Sequence, residues 1–444
     1  MQICMPKTVQ TAIERLEQAG FEAYAVGGCV RDTMLGREPN DWDITTSARP
    51  NDTAAVFSDC RTVETGVRHG TLTVILDGMP LEITTYRSDG EYADNRHPIE
   101  VTFSERVEDD LSRRDFTVNA MAYHMTRGLV DLYGGRKDLD RRVIACVGEP
   151  SVRFHEDGLR ILRAIRFAAV LDFAIDPLTA RAVHDCKGLL QNIAPERIRE
   201  EFGKLICGKG AVRILREYSD VISEFVPELG WCVGFEQNTR YHCFDVYEHS
   251  LQALNYCQSN DLITRLAILF HDIGKPLCYT EDDQGGHFKG HGHNGKDLMG
   301  VIAHRLRFDN ATIESLQRLV EYHDRPIPPT PVSVKRLMLR MSDEDILRLM
   351  EIQRCDRMAH APAYCEPSPS LQEIPRIMRA IREADECLSL KKLAVKGDDL
   401  MAIGIPAGKR MGEILNLLLD AVIDEKLPNE RETLLRAALE YPKK

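Results

Sequence analysis

The sequence has no run of about 18 apolar residues, which excludes a membrane-spanning helix of ordinary length. It also lacks a signal-peptide core. The opening MQICMPKTVQTAIERLEQAG carries charges inside its only apolar pattern, so a cytosolic location is expected. Among 13 cysteines there is no CxxC pair and no zinc-finger spacing, which argues against a disulfide framework or a thiolate metal knuckle. Scattered through helical patterns, they read as reduced thiols filling cores. A basic excess is missing too: 57 Lys and Arg stand against 69 Asp and Glu, a formal charge of −12. That speaks against a protein that coats nucleic acid nonspecifically. No fixed-period repeat or low-complexity tract is present.

What is present is 444 residues of ordinary globular composition, 43% hydrophobic and 28% charged. At about 150 residues per domain, the length suggests two to four domains. Residues 6–19 place Val9, Ile13, Leu16 and Ala19 on one helical stripe, stopped by Gly20. Tyr24 to Val26 reads as a short strand running into Gly27-Gly28, and Asp41 to Thr45 reads as another. TLTVIL (71–76) and LEITTY (81–86) flank Asp77-Gly78-Met79-Pro80, a hairpin signal. The polar stretch 88–98 reads as a loop. After about residue 136 strand patterns nearly vanish and amphipathic helices continue. The expectation is an α+β chain, with a small α/β head on a long helical body.

The most informative stretch is Val26-Gly27-Gly28-Cys29-Val30-Arg31-Asp32, followed by Asp41-Trp42-Asp43-Ile44. Two glycines after a strand let backbone approach a phosphate, and Arg31 one turn on can add a cation. Cys29 is assigned only a space-filling role. Asp41 and Asp43, two apart on a strand, present both carboxylates from one face. Two magnesium ions bridging a nucleoside triphosphate and an attacking hydroxyl require that arrangement.

These motifs resemble the class II tRNA nucleotidyltransferases, the CCA-adding enzymes, which share ancestry with bacterial poly(A) polymerases. Arg113-Arg114-Asp115-Phe116-Thr117-Val118-Asn119 resembles the family's second motif, implying that Arg114, Asp115 and Asn119 grip triphosphate and ribose. Glu156-Asp157-Gly158-Leu159-Arg160 resembles its nucleotide-selecting motif. On one helix Glu156, Asp157 and Arg160 would share a face, where carboxylates accept from exocyclic amines and a guanidinium donates to the base edge. The resemblance implies a head with a mixed or antiparallel sheet and an elongated all-helical neck. It further implies addition of C, C and A to the tRNA acceptor end from CTP and ATP. Glu82 is left open between flanking the catalytic pair and a structural role. Arg87 and the loop to Arg96 correspond to the family's flexible loop, and residues 195–201 (PERIREE) to a helix-stabilising motif. Residues 397–415 correspond to a C-terminal segment suited either to RNA phosphates or to helix packing.

Eight of the 14 histidines fall between 242 and 323. His249, the pair His271-Asp272, and Asp324 offer mixed nitrogen and oxygen ligands for a divalent transition metal, with His291, His293 and His323 as further ligands or phosphate contacts. The pattern resembles the HD phosphohydrolase superfamily, and the resemblance implies a second, metal-dependent phosphohydrolase activity. His242, His287 and His304 are assigned no role.

The expected domains are a catalytic head (1–135), a neck for nucleotide selection and RNA binding (136–216), a helical body with the HD site (217–374) and a helical tail (375–444). A homodimer is suggested only by analogy. The competing readings are a poly(A) polymerase, a transferase adding only CC or only A, and an HD phosphohydrolase with an inactive RNA-binding head. Residues 64–71 (ETGVRHGT) favour the CCA-adding side, and no long basic C-terminal extension is seen. The charge divides usefully: the head and body each carry −9, the neck +5 and the tail +1. The basic surplus therefore lies beside the nucleotide-selecting motif, where an acceptor end must rest, and binding should be local and salt-sensitive.

Overall fold

The structure, a computed structural model, describes all residues except 1–2, 65, 68–69, 90–100, 367 and 442–444. It divides into two compact units, Met1–Gly230 and Trp231–Lys444. The helical neck joins the head in the first unit. The expected edge at 216/217 does not separate units, because Val221, Ile222, Phe225 and Val226 are buried and Phe225 packs edge-on to Phe202 at 5.4 Å.

The first unit begins with α1 (Lys7–Gln18), which buries Val9, Ala12, Ile13 and Leu16. Ala12 replaces the expected Ala19, which is exposed at the helix end. Then follow β1 (Ala23–Val26), α2 (Gly28–Met34), β2 (Asp43–Thr46), α3 (Pro50–Val56), β3 (Arg61–Val63), β4 (Thr71–Leu76) and β5 (Met79–Thr85). A short ribbon of β6 (Arg87–Asp89) and β7 (Val101–Phe103) precedes α4 (Val107–Ser112), β8 (Met121–His124), β9 (Gly128–Asp131) and α5 (Gly135–Arg141). Of the loop expected from Arg87 to Arg96, Arg87–Asp89 form β6 and the remainder lies outside the described residues. Seven strands form one mixed sheet in the order β3-β4-β5-β2-β1-β8-β9, with β2 and β5 parallel and every other pair antiparallel.

The β4–β5 hairpin closes tighter than its sequence suggests. Leu76 pairs with Met79, so the turn is only Asp77-Gly78, both at positive φ (48° and 80°). A two-residue turn of that handedness matches the twist of its strands. β4 alternates buried and half-buried side chains, as a half-covered sheet requires.

The rest of the unit is helical apart from a two-residue parallel pair, β10 (Val143–Ile144) with β11 (Ala174–Ile175). α6 (Pro150–Glu156) leads to α7 (Leu159–Leu171), which is buried along most of its length. α8 (Pro177–Asp185) and α9 (Pro195–Ile206) follow, α9 lying against α7, and α10 (Ala211–Glu217), α11 (Ser219–Ile222) and α12 (Pro227–Gly230) close the unit.

The second unit contains α13 (Val246–Tyr256), α14 (Leu262–Phe270), α15 (Lys275–Cys278), a small hairpin of β12 (Thr280–Asp282) and β13 (Gly285–His287), α16 (His291–Arg305) and α17 (Asn310–Tyr322). α18 (Pro331–Met338), α19 (Asp343–Met358), α20 (Ser370–Glu383), α21 (Gly397–Ala402), α22 (Lys409–Ile423) and α23 (Arg431–Glu440) complete it. The edge expected at 374/375 falls inside α20. Leu400, Met411, Ile414, Leu418 and Leu434 form a buried cluster, so α21 and α22 (397–415) serve helix packing.

Candidate functional site

In the first unit, β2 begins at Asp43 and not at Asp41, because Asp41 and Trp42 precede the ladder. Trp42 is buried while Asp41 is exposed and Asp43 half-buried, so the alternation that aims both carboxylates to one side survives outside the strand. Asp43 lies opposite Glu82 in the parallel register. Burial raises the Asp43 carboxyl to about 6, and the charges of Asp41 and Glu82 add to it. Three clustered carboxylates repelling one another, with hard oxygen donors, fit a site for magnesium. Glu82 thus stands beside Asp43 in the sheet.

Gly27 ends β1 at φ 80°, and a Cβ there would lie 2.9 Å from Arg114 Nη1. Only glycine leaves room for that guanidinium against the turn. Arg114 is held by Asp110 (3.0 Å), as is Arg113, and Asp110 also accepts from Thr45 on β2 (3.2 Å). Asp110 is fully buried; burial opposes its charge, yet Arg114 and Arg113 hold its carboxyl below the ordinary range. The i,i+3 and i,i+4 spacing to the two arginines is the sequence signal that could have found it.

Arg31 does not project freely toward a phosphate. Its guanidinium is buried, donating to Asp32 (2.9 and 2.8 Å) and to Asn119 Oδ1 (2.5 Å). Gly28 lies beside it: a Cβ there would be 3.7 Å from Arg31 Nη2. Asn119 donates to Asp115 Oδ1 (3.2 Å), and Asp115 Oδ2 accepts from Arg163 Nε and Nη2 (2.8 and 2.7 Å). Burial opposes the Asp115 charge, but Arg163 dominates and draws the carboxyl down to about 2. Arg163, on α7, was not expected from the sequence; its motif neighbours gave no sign that a distant aspartate needed a cation.

Glu156, Asp157 and Arg160 do not share one helix. α6 ends at Glu156, Asp157 is extended (φ −140°, ψ 106°), and α7 starts at Leu159. Glu156 and Arg160 still pair across the break, and Arg160 also donates to the carbonyls of Arg153 (3.2 Å) and Arg113 (3.0 Å). That last bond ties the segment 156–160 to the segment 113–119. Asp157 Oδ1 accepts from the Leu159 N–H (3.0 Å), while Oδ2 accepts from Arg197 on α9 (3.1 Å). The PERIREE segment therefore contacts Asp157 directly, through Arg197.

The second unit gathers a separate histidine–aspartate cluster. His271 and His323 cap the C-terminal ends of α14 and α17, and His291 opens α16. Nδ1 of each faces the carbonyl three residues back, that of Ile268, Val320 or Phe288, at 2.7, 2.7 and 2.8 Å. His249 Nδ1 faces the Ala359 carbonyl at 3.3 Å. All four rings therefore turn Nε2 inward, the orientation of an imidazole metal ligand.

The buried Asp272 lies at the centre. Its Oδ2 is 3.1 Å from His271 and 3.5 Å from His249, and its Oδ1 is 3.5 Å from both His291 and His323. Asp356, on α19, is 2.9 Å from His249 Nε2 and 3.6 Å from His271 Nε2. Burial disfavours a charged His271, but Asp272 and Asp356 outweigh it and raise its pKa. Imidazole nitrogens and carboxylate oxygens thus converge on one buried point, a mixed donor set that suits a divalent transition metal.

Asp324 takes a different place from the one expected. It is exposed, 3.6 Å from His291, and groups with His291 and His323 rather than with His249 and His271. His293 points away and is exposed beside Asp297. Asp356 was missed because it sits in the last turn of α19 among charged neighbours (QRCDRM) with no histidine beside it. His242, given no role, packs edge-on to His249 and at a tilt to His360, each at 4.7 Å. With Lys275, Lys289, Tyr241, His287 and His360 it lines a cavity of about 460 Å³ over the cluster. Lys275 bonds Asp272 (2.6 Å) and Gln237 (2.7 Å). His304 is exposed, as expected.

The mixed sheet, its clustered carboxylates and the arginine-lined turn define a nucleotidyltransferase. Residues 23–145 match the poly A polymerase head domain family, 172–229 the probable RNA and SrmB-binding site of polymerase A, and 295–438 a putative tRNA nucleotidyltransferase domain 2. The chain is 34% identical over 431 residues to the CCA-adding enzyme of Limosilactobacillus fermentum, covering 97% of this chain and 96% of that one. It is 33% identical over 427 residues to that of Lactobacillus helveticus, covering 95% and 94%. Its structure resembles that of the Bacillus stearothermophilus CCA-adding enzyme solved with CTP, with TM-score 0.72, 27% identity and 98% of both chains covered. The chain belongs to the class II CCA-adding enzyme family. No helix among the described residues is long and apolar enough to cross a membrane.

Proposed function

We propose that the protein adds C, C and A to the 3′ end of tRNA, consuming CTP and ATP and releasing pyrophosphate. The observation that carries this is the Asp41, Asp43 and Glu82 cluster, joined through one sheet to the Arg114–Gly27 turn and the Glu156–Arg160 pair. Relatives spanning nearly the whole chain are CCA-adding enzymes. Asp41 and Asp43 would hold magnesium, which supplies activation of the attacking hydroxyl and neutralisation of the departing charge.

The tRNA 3′-hydroxyl attacks the α-phosphorus and pyrophosphate departs on the opposite side. Arg114, braced by Asp110, faces the triphosphate across the Gly27-Gly28 turn. Arg31 acts by orienting Asn119, and Asp115 accepts from the ribose hydroxyls. Asp157 and Arg160 read the base edge, steadied by Arg197 and Glu156. The test is incubation with tRNA ending before CCA, magnesium and each NTP singly and mixed. Addition of CCA and then arrest is expected. Long A tails, partial addition with all substrates present, or no incorporation overturn the reading.

A second reading has its own observation, the convergence of the Nε2 atoms of His249, His271, His291 and His323 on buried Asp272. His249, His271, Asp272 and Asp356 would hold a divalent transition metal, with the other oxygen of Asp272 facing His291 and His323. Such an ion supplies a nucleophilic hydroxide near neutral pH. Lys275 and Lys289 in the cavity wall suit a phosphoester. Hydrolysis of a 2′,3′-cyclic nucleotide, lost on chelation while CCA addition with magnesium persists, supports this reading; metal-independent hydrolysis or none sinks it.

A further inference from the structure

A second cluster in the same unit has no part in either activity. Cys257 closes the C-terminal end of α13, half-buried, and Cys355 lies buried on α19. The two sulfurs and a Glu351 carboxylate oxygen lie within 4.8 Å of one another. Cys355 is 3.6 Å from Glu351 Oε1 and 3.5 Å from Arg354 Nη2, and Arg354 also bonds Glu351 (2.8 Å).

The same three side chains could be read as a soft-metal site, but the charges decide against it. Arg354 touches the cluster and Arg265 adds positive potential at Cys257, so a dication is repelled where a thiolate is favoured. Contact with Cys355, aided by Arg265 and against burial, draws the Cys257 thiol below its ordinary range. A half-exposed thiolate with a second thiol in contact behind it is the arrangement of a reactive and a resolving cysteine.

We propose that Cys257 and Cys355 are an oxidation-sensitive pair that a peroxide converts into an intramolecular disulfide joining α13 to α19. The Cys257 thiolate sulfur attacks one peroxide oxygen and the O–O bond breaks. The leaving hydroxide takes a proton to become water, and Cys257 becomes a sulfenic acid. The Cys355 sulfur then attacks that sulfur; the S–S bond forms, the S–O bond breaks, and hydroxyl leaves with the Cys355 proton as a second water. Two thiols and one peroxide give one disulfide and two waters. The link would tie together the helices that carry His249 and Asp356, although the proposal stands without any metal there.

The test is exposure of the folded full chain to hydrogen peroxide, alkylation of remaining thiols, and peptide mapping without reductant. A linked Cys257–Cys355 peptide that dithiothreitol abolishes is expected, with CTP incorporation unchanged. Cys355→Ser should leave Cys257 as a sulfenic acid trapped by dimedone, and Cys257→Ser should leave Cys355 unreacted. The proposal fails if the pair stays reduced while exposed Cys4 and Cys243 oxidise, or if Cys257 runs on to higher acids without linking. It also fails if the untreated protein carries a chelatable ion that Cys257→Ser removes.

Discussion

Asp43 on β2 and Glu82 on β5 stand opposite one another in parallel register, so the sheet itself holds two carboxylates together beside Asp41. Burial first, then the charges of Asp41 and Glu82, raise the Asp43 carboxyl to about 6. In the metal-free native protein Asp43 therefore keeps a proton that the unfolded chain has lost between pH 3.8 and about 6. The favourable contribution is complete below the lower value and disappears as pH rises through the upper one.

Asp43→Asn should therefore stabilise the metal-free protein at pH 7 by about 1–3 kcal/mol, with little gain at pH 4, while abolishing nucleotide addition. Urea unfolding at the two pH values measures this. Destabilisation at pH 7 would show that the carboxylates are not in electrostatic conflict. Magnesium affinity should rise with pH through about 6 in the wild type, where the ion must displace that proton.

The contact between Asp157 and Arg197 yields a prediction about selection. Asp157 lies in an extended link between two helices, so its orientation depends on Arg197 and on the Leu159 N–H. Arg197→Ala should lower kcat/KM for cognate addition by about 10²-fold and increase misincorporation of U and G. Arg197→Lys should recover part of both. If only the melting temperature moves and base choice is unchanged, Arg197 is merely structural.

Most of this first site was legible in sequence because its residues lie in short, ordered motifs. Gly27-Gly28, Asp41 with Asp43, and Arg113 to Asn119 each carry a local backbone demand. What stayed hidden were the partners that hold them. Asp110 lies at helical spacing from Arg113 and Arg114 and could have been found, whereas Arg163 and Arg197 act across distances in sequence where no spacing rule applies. The single-helix reading of Glu156 to Arg160 failed because helical spacing says which side chains could meet, not whether Gly158 and an extended Asp157 interrupt the helix. Asp356 was hidden for the same reason as Arg163: its partners come from other helices.

Half-buried Arg163 pairs with buried Asp115, and removing the cation isolates the carboxylate. Arg163→Ala should cost about 3–5 kcal/mol at pH 7. Burial opposes the Asp115 charge, but Arg163 holds the carboxyl near 2, so the stabilisation is present above the ordinary 3.8 and is lost as pH falls toward 2. The penalty of Arg163→Ala should accordingly shrink below pH 4, where an unpaired Asp115 accepts a proton. Adding Asp115→Asn to Arg163→Ala should recover much of the loss at pH 7 in a double-mutant cycle. Equal penalties at pH 7 and pH 4 would show that packing, not charge, dominates.

The histidine cluster separates two aspartates that its sequence could not. Asp356 lies 2.9 Å from His249 and 3.6 Å from His271, whereas exposed Asp324 approaches only His291, at 3.6 Å. An ion seated between His249, His271 and Asp272 must use Asp356 as its remaining carboxylate. Asp356→Asn keeps the shape but removes the charge, and should weaken binding of manganese or nickel about 10–100-fold by calorimetry. Asp324→Asn should change that affinity little, because solvent reaches its carboxylate and no bond to His249 or His271 depends on it. Both variants should retain CTP incorporation with magnesium. Losing the ion in Asp324→Asn while keeping it in Asp356→Asn would move the metal to the His291 and His323 side of Asp272. The geometry favours the other side, where the Nε2 atoms of His249 and His271 face Asp272 Oδ2 and Asp356.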